Sequence, residues 1–176
     1  MHLSRLLLDP RHAQVRRDLG NPYDMHRTLT RAFVSGTGDA PLRFLWRLEP
    51  SMDWNAPVVL VQSERPAQWS ELHQMDTYLK SEVETKAISL DQLIQLGATY
   101  RFRLSANPTV TRDGKRFGLT SEDLQLAWLQ RQGLRWGFEV KTALVIASDV
   151  LTGRKGATQI SLQRVCFEGV LAVQDS

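Results

Sequence analysis

The chain has 176 residues, of which 42% are hydrophobic and 23% charged, and its formal net charge is +3. That composition supplies apolar material for a core, while the single cysteine, Cys166, excludes a disulfide framework and any multi-cysteine zinc site. No run approaches the ~18 consecutive apolar residues of a transmembrane helix, and the leucines at positions 6–8 are too few for a signal-peptide core, so the sequence reads as a soluble, cytoplasmic protein without a membrane partner.

Residues 3–8 read as a short apolar strand ending at Asp9-Pro10, followed by a polar connection through Arg16-Arg17. A helix start is marked at Asn21-Pro22: Asn21 is a capping type, Pro22 suits the first helical position, and Asp24 sets a carboxylate in the positive first turn. The spacing predicts a helix to about residue 34, before Ser35-Gly36-Thr37-Gly38 breaks it. Residues 43–48 and 57–62 read as strands, 69–79 as a second helix through Leu72, Met75 and Leu79, and 86–89 as a further strand. The first unit is therefore β-α-β-β-α-β in order.

The order then begins again. Residues 99–106 alternate strongly, with Tyr100, Phe102 and Leu104 opposite Arg101, Arg103 and Ser105. Asp113-Gly114 is a turn signal before a strand at 115–119, and Thr120 or Ser121 can cap a helix that stops at Gly133. Residues 138–147 and 159–167 read as paired strands with 151–156 as the loop between them, and 170–173 close with a short apolar run. The domains are expected at 1–92 and 99–176, joined by a linker at 93–98. The expected class is α+β, with two tandem βαββαβ units, the second lacking its last helix and strand.

Charge is unevenly spread. Residues 1–50 hold eight Lys/Arg against five Asp/Glu, 51–97 hold three against seven, and 98–176 hold eleven against seven. Between Arg101 and Arg116, five cations (Arg101, Arg103, Arg112, Lys115, Arg116) face only Asp113. This excess fits a phosphate-backbone binder; it fits equally a solvated sheet edge guarded against aggregation.

The segment from Asn21 to Arg31 carries the chemistry. At ~100° per residue, Met25, Leu29, Ala32 and Phe33 fall on one side, and Tyr23, His26, Arg27 and Thr30 on the other, with Arg31 at its edge. Histidine moves a proton near neutral pH and arginine neutralises a phosphorane-like transition state, so the set suits phosphodiester chemistry, with the helix N-terminus as a phosphate seat. Spacing alone is also met by an ordinary exposed histidine. The other histidines (His2, His12, His73) read as incidental, Cys166 as a core residue, and the tryptophans, Trp46 and Trp128 among them, as packing. No metal-ligand spacing, P-loop or GxGxxG fingerprint occurs, so neither metal nor cofactor is expected.

The stretch Asn21-Pro-Tyr-Asp-Met-His-Arg-Thr-Leu29 resembles the signature helix of the CRISPR RNA-processing endoribonucleases of type I-E systems, the CasE/Cse3 family. The resemblance continues, in the family's order, through Leu45-Trp-Arg-Leu-Glu-Pro50, Arg101-Phe-Arg-Leu-Ser-Ala-Asn-Pro108, Gly114-Lys-Arg116 and Phe167-Glu-Gly169. It implies tandem ferredoxin-like domains that bind the stem-loop of a CRISPR repeat and cut at the 3′ side of its base. Cutting would be metal-independent, by attack of the ribose 2′-OH, leaving a 2′,3′-cyclic phosphate and a 5′-OH. His26 would then be the catalytic general base or acid, Tyr23 would orient the reacting groups, and Arg31, where a lysine is often found, would stabilise the phosphate charge.

Under the same resemblance, Arg27, Arg154 and Lys155 would contact RNA, the last two on a basic hairpin in the stem's major groove. Arg101, Arg103, Lys115 and Arg116 extend that surface on the charge pattern. The partners implied are the crRNA and the other subunits of Cascade, joined by a protein monomeric before assembly. The family's C-terminal helix and glycine-rich loop do not follow Val173, which implies a truncated or incompletely represented product. The competing readings are a non-cleaving RNA-binding module of the same fold and a general protein-interaction subunit.

Overall fold

The computed structural model describes residues 1–34, 42–50, 55–155 and 158–175, without the side chains of 153–155 and 158–160. It divides into two units, Met1–Leu90 and Asp91–Ser176.

The first unit runs β1 (His2–Leu7), α1 (Ala13–Gly20), α2 (Pro22–Thr30), a 3-10 turn (Arg31–Phe33), β2 (Phe44–Leu48), β3 (Val58–Ser63), α3 (Ser70–His73) and β4 (Glu84–Ala87). Its strands lie in the order β2-β3-β1-β4, every neighbouring pair antiparallel. That is the ferredoxin-like plan. Register explains which face is buried: Ser4 and Trp46 both lie opposite Val61, while Leu6 lies opposite Val59, so one side of the pleat collects the core residues. Against it pack Met25, Leu29, Ala32 and Phe33 from α2 and the 3-10 turn, with Val15, Trp69, Leu72 and Tyr78.

The strand expected at 86–89 lies two residues earlier, the helix from Pro22 tightens to a 3-10 turn after Thr30, and two further stretches of this unit differ more from the sequence reading. The supposed polar connection is the helix α1, whose inward face carries a carboxylate: Asp18, 1% exposed, accepts hydrogen bonds from Tyr78 Oη (2.7 Å) and Gln14 Nε2 (2.8 Å). A buried acid masks the apolar periodicity on which the reading depended. Those two donors offset the cost of its burial. His12 is also more than incidental, since its Nδ1 accepts the Gln14 N–H and caps α1. The expected helix at 69–79 is shorter, with only Ser70–His73 helical. Thr77 turns the chain at φ 61°, after which Tyr78 enters the core. Burial and the hydrogen bond to Asp18 push the Tyr78 phenol above its ordinary range.

Asp9 closes the corner after β1. It is 4% exposed and is held by the guanidinium and backbone N–H of Arg11. The Arg11 side-chain hydrogen bonds, then its backbone N–H, lower the Asp9 carboxyl from the ordinary 3.8 to about 2. Because the folded value lies below the unfolded one, the stabilisation is complete above the ordinary value and lost as pH falls through about 2. Asp9→Asn should therefore lower the melting temperature at pH 6 and converge with the parent protein near pH 2; parallel curves throughout would show that Asp9 contributes nothing through its charge.

The second unit contains α4 (Leu90–Leu93, beginning at the boundary), β5 (Thr99–Ala106), β6 (Thr109–Arg112), β7 (Lys115–Gly118), α5 (Glu122–Arg135), β8 (Phe138–Lys155) and β9 (Thr158–Val173). Its sheet has the order β5-β9-β8, antiparallel, and α5 packs Leu129 beside Val165 and Phe167. This repeats the placement of the first three strands of the first unit. The structure is mixed α+β with two ferredoxin-like units, as the sequence reading expected. Residues 170–173 are not a separate element: they belong to β9. The expected loop at 151–156 is also largely strand, since the β8–β9 pairing runs on to Lys155 opposite Thr158.

Gly169 lies in the middle of β9, where a β-carbon would sit 2.0 Å from the Thr142 carbonyl oxygen and 3.0 Å from the Phe102 ring. The β8 register shifts between Val140 and Thr142, which brings that carbonyl in. Glycine is required here by close approach, not by turn geometry. Gly169→Ala should cost about 3 kcal/mol in denaturant unfolding; a loss below about 0.5 kcal/mol would mean that the sheet yields freely.

Candidate active site and nucleic-acid interface

The site is built on α2. Asn21 leaves the chain extended (φ −143°, ψ 108°) and its Oδ1 accepts the Tyr23 N–H at 3.0 Å, so the helix begins where a capping residue dictates. Asn21 Nδ2 in turn donates to Asp24 at 2.9 Å, and Asp24 pairs with Arg27 at 3.0 Å. This occupies part of the proposed phosphate seat: Pro22 has no N–H, the Tyr23 N–H is taken, and a carboxylate stands in the first turn. Anion binding at this end therefore falls chiefly to side chains.

The inward side of α2 holds Met25, Thr28 and Leu29, all buried. Tyr23, His26 and Arg27 are exposed on the outward side, and Arg31 is exposed in the 3-10 turn that continues it. The structure thus brings Tyr23, His26, Arg27 and Arg31 to one surface of the first unit. Arg31 Nη1 donates to Met75 Sδ at 3.6 Å, a weak contact that holds one edge of the exposed guanidinium beside the unit. The His26 ring stacks on Phe44 at 4.9 Å between centroids and 16° between planes, and Phe44 stacks on Phe33 at 4.4 Å and 11°. Sequence reasoning passed over Phe44. Its signal was there, because the alternation Phe44, Trp46, Leu48 sets it on the same sheet face as the core.

In the second unit, Arg101 and Arg103 are exposed on β5 and share one face of the sheet. Arg103 is ion-paired with Glu168 directly across on β9, so its charge is partly spent within the protein. Lys115 and Arg116 sit on the β6–β7 hairpin, whose tip is a primed turn with Asp113 at φ 48° and Gly114 at φ 73°. Their side chains take opposite faces. Lys115 lies opposite Arg112 and shares its face with Phe117, which is 50% exposed, whereas Arg116 lies opposite Thr111. Arg112, one of the five cations of this stretch, is thus the cation directly across from Lys115. The backbone of Arg154 and Lys155 belongs to β8; their side chains lie outside the described residues. Lower on the same ribbon, the Arg164 guanidinium holds the Asp149 carboxyl below the usual carboxylate range.

Trp46 and Trp128 pack against the two cores, while Trp136 is 68% exposed, contrary to a general packing role for the tryptophans. Among the described residues, no group of three His, Cys, Asp or Glu side chains is placed to hold a metal ion, and no helix is long and apolar enough to cross a membrane.

The chain matches the family model described as "CRISPR associated protein" over residues 1–176. It is 34% identical to the CRISPR-associated endoribonuclease Cse3 of Thermus thermophilus, covering 99% of this chain and 87% of that protein. It is 28% identical to the CRISPR system Cascade subunit CasE of Escherichia coli, covering 100% and 86%. Among solved structures, Thermus thermophilus Cse3 bound to an RNA representing a pre-cleavage complex superposes with a TM-score of 0.84 at 34% identity, covering 99% of this chain and 85% of that one. The Escherichia coli protein Cas6e gives 0.66 at 26% identity, covering 100% and 86%. With the family model matched over residues 1–176 and a relative 34% identical across 99% of this chain, this chain belongs to the type I-E CasE/Cse3 family of CRISPR-associated endoribonucleases.

Proposed function

We propose that this protein binds the stem-loop of its CRISPR repeat and cuts the precursor RNA at the 3′ base of that hairpin without a metal ion. The observation that carries the reading is the exposed surface of α2 and the 3-10 turn that continues it, where Tyr23, His26, Arg27 and Arg31 lie together above a buried apolar face. The nucleophile is already in the substrate: the upstream ribose 2′-oxygen attacks the adjacent phosphorus, the P–O5′ bond breaks, and a 2′,3′-cyclic phosphate and a 5′-OH result. The 2′-OH gives up a proton and the departing 5′-oxygen gains one. His26 carries one of these transfers, and Arg31 neutralises the charge that builds on the phosphorane oxygens. Tyr23 orients the reacting groups.

Arg27 contacts the backbone, as do Arg154 and Lys155 on the ribbon. Arg101, Arg103, Lys115 and Arg116 extend the surface, Arg103 least because of Glu168. The processed RNA stays bound, and the protein joins Cascade from a monomeric, cytoplasmic state. The relatives named endoribonuclease and Cascade subunit support the coarse reading.

The test is incubation with repeat RNA in EDTA, with both product ends analysed. A single cut at the hairpin base leaving a cyclic phosphate is expected. Tight hairpin binding with no cut would favour the non-cleaving module instead. Affinity no greater than for unrelated RNA, collapsing as salt rises, would leave only a charged surface.

A further inference from the structure

Three rings stand in a pile at the edge of the first unit. Phe33, 4% exposed, forms its base and is braced edge-on by Trp69 at 5.9 Å and 80°. Phe44 lies flat on Phe33, and His26 lies flat on Phe44. The middle ring is fixed from the backbone side as well, because Phe44 opens β2 and pairs with Ser63 of β3. From the core outward the pile ends in an imidazole.

Enzymes usually fix a working imidazole by a hydrogen bond from one ring nitrogen to a carboxylate or a carbonyl. Here, among the described residues, neither His26 ring nitrogen has such a partner, and the one side chain that bonds this residue, Thr30 through Oγ1, donates to its backbone carbonyl. What restrains the ring is the flat face beneath it. Parallel contact with Phe44 limits both side-chain torsions and keeps the two nitrogens in a plane that runs along the protein surface. A hydrocarbon face makes no claim on either nitrogen, so both stay available for proton exchange with an RNA.

We infer that Phe44 is a positioning residue for His26, setting the imidazole plane by stacking so that its nitrogens meet the scissile linkage. This rests on the reading of His26 as the proton-transfer group. Pre-setting a reacting group removes orientational freedom that would otherwise be lost in the transition state. The effect therefore belongs to the chemical step and not to RNA affinity.

The test compares the parent protein with Phe44→Leu, Phe44→Tyr and His26→Ala. Leucine keeps apolar contact with Phe33 but removes the flat face; tyrosine restores it. Single-turnover cleavage of repeat RNA reports the chemical step. The dissociation constant for the same RNA carrying 2′-deoxyribose at the cut site reports binding. Phe44→Leu should slow cleavage by roughly 3–10-fold with binding changed less than about twofold, and Phe44→Tyr should recover most of the rate. In NMR spectra of the free protein, the His26 ring protons should lie upfield in the parent and in Phe44→Tyr, and move downfield in Phe44→Leu.

If the parent cuts, His26→Ala does not, and Phe44→Leu cuts at the parent rate, the positioning role is refuted while the catalytic reading stands. If His26→Ala cuts as fast as the parent, the catalytic reading fails and the inference falls with it. Unchanged His26 ring-proton shifts in Phe44→Leu would refute the stack without reference to activity.

Discussion

Replacing His26 by alanine should reduce cleavage of the repeat RNA by about 10²–10⁴-fold, the range set by loss of one positioned proton-transfer group. RNA affinity should change little, because the exposed cations Arg27 and Arg31 remain. Stability should also be preserved, since His26 lies on the solvent side of α2 and its ring covers a half-buried phenylalanine without filling the core. The measurement is single-turnover cleavage alongside a thermal melt. A His26→Ala protein that melts like the parent and still cuts at more than a tenth of its rate would remove His26 from the mechanism.

The opposite face of the same helix should answer in the opposite currency. Leu29 is fully buried within the cluster formed by Leu6, Val59, Val61 and Tyr78. Leu29→Asp forfeits about 1.5–3 kcal/mol of apolar burial and leaves a carboxylate without a partner, a combination that exceeds about 4 kcal/mol. Against a typical domain stability of about 5–15 kcal/mol, this is enough to unfold much of the first unit. Met25→Asp, at 1% exposure, should behave alike. Circular dichroism during heating distinguishes the two faces. Comparable melting losses in Leu29→Asp, Met25→Asp and His26→Ala would mean that the two faces of α2 have been wrongly assigned.

The division of α2 into faces was readable from spacing because nothing interrupts it: the cap, the proline and the apolar residues at positions 25, 29, 32 and 33 all agree with what the structure places there. The alternation of β5 was equally plain, since its arginines and aromatics never leave register. Legibility failed where a long-range partner decides local structure. Asp18 speaks against a buried helix face until Tyr78, sixty residues away, is known to bond it. The residues from Leu151 to Lys155 look like a loop because glycine and two cations follow one another, yet they are strand by virtue of the chain opposite. The pile of rings on Phe33 was invisible for the same reason, each ring coming from a different element. The grouping of Lys115 with Arg112, and not with its chain neighbour Arg116, needed only the hairpin register.

The β8–β9 ribbon holds a further consequence. From Val165 to Ala172, β9 is bonded to β5 on one side and β8 on the other, but towards Thr158 it keeps β8 alone. Its amide protons should accordingly exchange with deuterated solvent on two timescales along one continuous strand, slowly in the three-stranded part and faster outward from Arg164. Local opening free energy would then fall steadily towards the end that carries Arg154 and Lys155. If RNA binds along this ribbon as proposed, saturation with it should slow exchange most in the two-stranded part of β9, from Arg164 towards Thr158.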